Sequence, residues 1–179
     1  AVKAEDGEVV VWTPTNVFGN KGTLAMLSEY AHTFTTDERA AIERVLPWSR
    51  MLGRPGAGPD TGRIEECVRR QDQLVFKPTG LYGGQGVVIG REVDARTWRE
   101  TLDAGSRTGS LVQEIVQPNV EPVIDPDTGE RSEWYALWAA FMTPAGLSGG
   151  GIRAIPPGGT TVITMINNSS VRNTCLFTC

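Results

Sequence analysis

The chain has 179 residues, 40% of them hydrophobic and 21% charged, an ordinary balance for a globular fold with a core of its own. A formal net charge of −4 argues against a general role on nucleic acid or at a membrane surface. No apolar run approaches the roughly 18 residues that cross a bilayer, and no signal peptide is visible, so a cytoplasmic protein is expected, with neither nucleic-acid nor membrane partners. The sparse cysteines Cys67, Cys175 and Cys179 suggest reduced, intracellular thiols rather than a disulfide framework. The sequence starts at Ala1 without methionine, which raises the expectation of a further N-terminal domain of the same protein.

Glu8–Trp12 reads as a short buried strand, broken by Pro14 and Gly19. Asn20 then opens a helix with Leu24, Leu27 and Ala31 at helical spacing. Thr35-x-x-Glu38 is a capping-box pattern and starts a second helix through Leu46, with Ile42, Val45 and Leu46 on one face and Pro47 as its end. Residues 54–62, rich in Pro and Gly, read as loop, and Ile64, Cys67 and Val68 mark a third helix. Leu74-Val75-Phe76 and Val87-Val88-Ile89 are apolar strands around a glycine turn. Asp94 caps a helix that turns Trp98 and Leu102 inward, with Gly105 as its expected stop. Strands follow at 110–116, 119–124, 133–142, 148–154 and 160–166. The five tryptophans are expected in the core. Helices first and an antiparallel meander last give an α+β fold. The expected division is a helical segment 1–71, a glycine-flap lid 72–117 and an antiparallel-sheet lobe 118–179.

The stretch 72–90, DQLVFKPTGLYGGQGVVIG, concentrates the chemistry. Lys77 stands at the mouth of a turn holding Gly83, Gly84 and Gly86, which let backbone N–H groups approach anionic oxygens while the lysine adds a point charge. A surface lysine beside a plain turn is the alternative. Gln113-Glu114-Ile115-Val116 is either an ordinary half-buried strand or one whose end reads an adenine through its backbone, with Gln113 or Glu121 adding a polar contact. Lys21, at a helix start, is a solvated residue or a second phosphate contact. Arg153, after two glycines, is a sheet-surface residue or a fork for carboxylate or phosphate. Asn167-Asn168-Ser169-Ser170 is a turn or an oxygen donor to Mg²⁺, and Glu133 is the nearest carboxylate to join it, since no Asp or Glu follows. Asp125 and Asp127 read as a turn rather than a calcium loop, because Pro126 lies between them and later ligands are lacking. His32, the single histidine, has no nucleophile pattern nearby and reads as structural.

These parts together resemble the ATP-grasp superfamily, in particular its glutathionylspermidine-synthase-like, circularly permuted branch. NKGTLAMLSE resembles that branch's Asn-Lys helix, ERVLPWSRML its Leu-Pro-Trp segment, LVFKPTGLYGGQGVVIG its Lys-Pro strand and glycine flap, SLVQEIVQP its adenine hinge, and LSGGGIRAI its Gly-Gly-x-x-Arg strand. NNSSVRNTCLF stands where the branch has its metal-side Asn/Ser segment, so the resemblance runs from Asn20 to Cys179. It implies two lobes with antiparallel sheets clamping ATP. Lys21 and Lys77 would bind phosphates under Gly83, Gly84 and Gly86. Gln113, Glu114 and Val116 would line the adenine, with Glu121 near the ribose. Arg153 would meet the γ-phosphate or an acyl phosphate, and Glu133 with Asn167 or Asn168 would hold Mg²⁺. The implied activity is an ATP-dependent carboxylate–amine ligase working through an acyl phosphate on small-molecule or peptide substrates, or the ATP-binding portion of one. The alternatives are a degenerate ATP-grasp domain that binds nucleotide or a protein without turnover, and an interaction domain whose glycine loop is merely a turn.

Overall fold

A computed structural model describes residues 20–54, 58–125, 127–143, 146–158, 162–163 and 170–176. The strand expected at Glu8–Trp12 lies outside them. The fold is α+β: helices with antiparallel sheets. The chain divides into two compact units, one drawn from Ala1–Gly80 and Val88–Ile115, the other from Leu81–Val87 and Val116–Cys179. The expected boundary at residue 72 is therefore replaced, because strands from both sides of it share one sheet.

The first unit opens with α1 (Lys21–Glu29) and α2 (Thr36–Val45). Asn20 caps α1 by accepting the Gly22 N–H at 2.8 Å. The buried side of α1 carries Gly22 and Ala25; of the expected Leu24–Leu27–Ala31 stripe, Ala31 is buried and Leu27 half-buried, while Leu24 is exposed. The capping box of α2 is complete: the Thr35 N–H donates to Glu38 Oε2 at 3.0 Å and the Glu38 N–H to Thr35 Oγ1 at 3.4 Å. Then come β1 (Ser49–Met51), the two-residue strands β2 (Gly53–Arg54) and β3 (Gly58–Pro59) inside the expected loop, and α3 (Thr61–Arg69). β4 (Leu74–Lys77), β5 (Val88–Ile89), α4 (Ala95–Thr108) and β6 (Leu111–Glu114) complete the unit.

The sheet order is β1-β6-β4-β5, antiparallel throughout. Strand alternation then decides which side chains meet. Leu74, Phe76 and Val112 point to one face and cluster with Leu52, Ile64 and Cys67 and with Trp98 and Leu102 of α4. Each large apolar side chain sealed there contributes about 1.5–3 kcal/mol. Trp98 is fully buried and its indole N–H donates to the Cys67 carbonyl at 3.1 Å, so the ring is buried without an orphaned donor. Gly105 does not stop α4. It sits within the helix because a Cβ there would lie 2.2 Å from Phe76 Cε2, and the stop is Gly109, at φ 75°.

The second unit is a meander of β7 (Val120–Ile124), β8 (Arg131–Thr143), β9 (Gly146–Ile155) and β10 (Arg172–Leu176), in the order β10-β9-β8-β7. β10 has no counterpart among the expected strands. Of the strand expected at 160–166, Val162 and Ile163 are described and are not in a strand. The β7–β8 turn follows the Asp reading: Asp125 Oδ1 accepts the Asp127 N–H at 2.8 Å, and Gly129 has φ 74°. Trp134 is buried but Trp138 on the same face is 57% exposed, so the tryptophans are not uniformly core; Trp12 lies outside the described residues.

Candidate functional site

β4 ends on Lys77, and the row Met51–Leu111–Lys77 crosses three strands of the first sheet. Period-two alternation puts Lys77 opposite the Phe76 cluster, on the face that also carries Ser49, Val75 and Gln113. α1 packs on β1 and β6, with Gly22 beside Met51 and Thr79. The Lys21 N–H donates to the Thr79 carbonyl at 3.3 Å, tying the start of α1 to the segment after Lys77. Lys77 is half-buried. Burial lowers its pKa below the ordinary lysine range, and repulsion from Lys21 lowers it further. Its ammonium donates to Gln113 Oε1, a neutral partner, and no carboxylate pairs with it among the described residues. Lys21 and Lys77 thus repel one another near the start of α1.

Gln113 is tied at both ends of its amide, since Nε2 donates to Ser49 Oγ at 2.9 Å. Glu114 is engaged elsewhere. Its N–H donates to the Trp48 carbonyl at 2.8 Å and its carboxylate pairs with Arg70 at 2.5 Å. Arg70 and Arg50 lie 4.4 and 4.9 Å from the Trp48 ring centroid. The Ile115 N–H donates to the Gln73 carbonyl at 2.9 Å. Backbone donors through residue 115 are therefore spent inside the sheet, and the chain becomes open at Val116, which is 65% exposed. Trp48 and Ser49 belong to the Leu-Pro-Trp stretch, which carried no site role, and Arg70 has no motif of its own. What joins them to the site is strand register, which a sequence does not display.

The glycine flap connects β4 to β5. Gly83, Gly84 and Gly86 have φ of 64°, 79° and 67°, a region costly for residues with a Cβ, so the backbone requires glycine there. Two turn bonds shape it, Gln85 N–H to Tyr82 O and Val87 N–H to Gly84 O, both 3.3 Å.

In the second unit, Glu121 pairs with Trp134, Glu133 with Pro122, and Arg153 with Leu137. Glu133 and Leu137 share one face of β8 and Trp134 takes the other, so Glu121 lies on the face opposite Glu133 and Arg153. Asn167 and Asn168 lie outside the described residues. Glu133 is exposed, and no group of three or more His, Cys, Asp and Glu side chains converges among the described residues. Cys67 is not a nucleophile at neutral pH, because burial pushes its thiol up to about 12. His32 sits in a short 3-10 turn, its ring tilted against Tyr30 at 6.3 Å. No described helix is long and apolar enough to cross a membrane.

The structure thus brings Lys21, Lys77 and Gln113 together and places Glu114, at the end of β6, in an ion pair with Arg70. No protein-family model matches the chain, and no curated protein matches it.

Proposed function

We propose that the chain binds ATP by its polyphosphate and forms the ATP-binding portion of a carboxylate–amine ligase of the ATP-grasp type, acting in the cytoplasm. The observation that carries this reading is the half-buried Lys77, repelled by Lys21 and hydrogen-bonded to an amide rather than a carboxylate. A half-buried lysine whose charge is disfavoured by burial and by Lys21 gains from an anion at its ammonium. Triphosphate supplies that anion.

In the proposed reaction a substrate carboxylate oxygen attacks the γ-phosphorus and the bond to the β-phosphate oxygen breaks, giving acyl phosphate and ADP. An amine then attacks the acyl carbon, phosphate leaves and the nitrogen releases a proton to solvent, giving the amide. Lys21 and Lys77 stabilise charge on the phosphates. Magnesium enters as the ion that ATP carries in solution, and no step is assigned to a protein-bound metal. Nucleotide binding without turnover is the second reading. It is favoured by the register that puts Glu121 across the sheet from Glu133 and Arg153.

Thermal unfolding with and without Mg-ATP tests the binding. The expected result is a rise in Tm for the parent protein that is lost in Lys77→Ala. The absence of any shift in the parent would sink the proposal. ADP release over a panel of amino acids and amines separates turnover from binding alone.

A further inference from the structure

Four groups on one face of the first unit form a hydrogen-bonded chain whose direction is fixed. The Pro47 carbonyl can only accept, so the Ser49 hydroxyl donates to it, at 2.9 Å. With its proton spent there, Ser49 Oγ is left to accept, and it takes the Gln113 Nε2–H at 2.9 Å. The amide orientation of Gln113 follows: its oxygen must face Lys77, whose ammonium donates to it. Lys77 keeps two further N–H groups, and the ring of partners holds its stem at the end of β4. One N–H and the oxygen of Gln113 are committed to this chain, so the amide cannot turn to read a base without releasing Lys77 or Ser49.

We propose that Gln113, fixed by Ser49, is the positioning residue of the Lys77 ammonium, and that it sets affinity for polyphosphate rather than recognition of adenine. The inference rests on the nucleotide reading above for its ligand, but the relay itself can be observed without one. Ser49 is half of the device. Its removal frees the amide to turn its NH₂ toward the ammonium, which would repel the lysine from its place. Ser49→Thr keeps the hydroxyl and preserves the direction of the chain.

The test compares Gln113→Met, Ser49→Ala and Ser49→Thr with the parent protein, each checked for folding by circular dichroism. Calorimetric titration uses inorganic tripolyphosphate, Mg-ATP and adenosine. Gln113→Met is expected to weaken tripolyphosphate and Mg-ATP about tenfold and to leave adenosine unchanged. Ser49→Ala is expected to follow in the same direction and Ser49→Thr to restore the parent values. A second readout needs no ligand: acetylation of Lys77 by acetic anhydride, mapped by mass spectrometry, is expected to speed up in Gln113→Met and Ser49→Ala. Loss of adenosine binding with tripolyphosphate unaffected would overturn the inference, as would unchanged Lys77 acetylation in both variants. If acetylation changes but the parent binds neither tripolyphosphate nor Mg-ATP, the relay stands and the nucleotide reading falls.

Discussion

Arg63 grips Glu29 through two guanidinium nitrogens, at 2.9 and 3.4 Å, and the same side chain donates to the Met51 carbonyl at 2.8 Å. Arg63 belongs to α3, Glu29 ends α1, and Met51 ends β1, so one planar fork fastens two helices to the outermost strand of the sheet. Both side chains are about four-fifths shielded from solvent, which separates this pair from the exposed ones on α2 and α4.

Arg63→Ala should therefore destabilise the protein by about 2 kcal/mol, because it leaves the Met51 carbonyl and the Glu29 carboxylate short of a partner. Arg63→Lys should recover less than half of that, since an ammonium cannot bridge both groups in one plane. Urea unfolding of the two variants measures the difference. Equal stabilities for Ala and Lys would show that the fork geometry contributes nothing.

Lys77 makes a prediction about alkaline pH. Its folded pKa is depressed by burial and then by Lys21, while the unfolded lysine keeps the ordinary value of 10.5. Between the depressed value and 10.5 the unfolded chain holds the extra proton, so stability rises with pH across that window. At neutral pH the cost of burying the charge is present in full. The unfolding free energy of the parent minus that of Lys77→Met should thus increase from pH 7 through pH 10.5 and level off only above it, once the unfolded lysine has also lost its proton. A flat difference would mean that the ammonium is as well solvated in the fold as in the unfolded chain.

Gly105 and Gly109 invite the same substitution for different reasons. Alanine normally improves a helix interior by about 1 kcal/mol over glycine. At position 105 its Cβ would press to 2.2 Å from Phe76 Cε2, and overpacking of this kind costs about 1–3 kcal/mol, so Gly105→Ala should lower stability. Introducing Phe76→Leu first should remove most of that penalty, a coupling that a double-mutant cycle reads directly. Gly109→Ala meets nothing within 4 Å and should cost about 1 kcal/mol through its φ of 75° alone, with no dependence on Phe76.

Those two glycines also show where a sequence stops being informative. A glycine near the end of an amphipathic run signals either a stop or a close approach, and Phe76, 29 positions away from Gly105, decides which. The capping box at Thr35 and Glu38 and the cap at Asp94 were legible because every atom involved lies within four residues. β1 and β10 were not, because Ser49–Met51 and Arg172–Leu176 carry no strong strand pattern and are strands by virtue of pairing with β6 and β9. The candidate site divides along the same line. Lys77 and its glycines are a contiguous phrase in the sequence, whereas the Ser49–Gln113–Lys77 chain depends on a register spanning 64 positions. The two faces of the second sheet likewise separate Glu121 from Arg153 by a parity that appears once the strands are aligned.

The side chains that fasten β1 have an effect beyond anchoring. Ser28 Oγ takes the Ser49 N–H at 3.1 Å, Arg50 covers the Ser49 carbonyl at 2.8 Å and Arg63 covers that of Met51, so three outward backbone groups of this strand are occupied. In the second unit, β7 pairs with β8 on one side and has Pro122, which lacks an N–H, in the middle of its run. A border strand is ordinarily a template on which another polypeptide can crystallise as β-structure. Here one border of each sheet is closed to such recruitment, by side-chain saturation in one case and by a missing donor in the other.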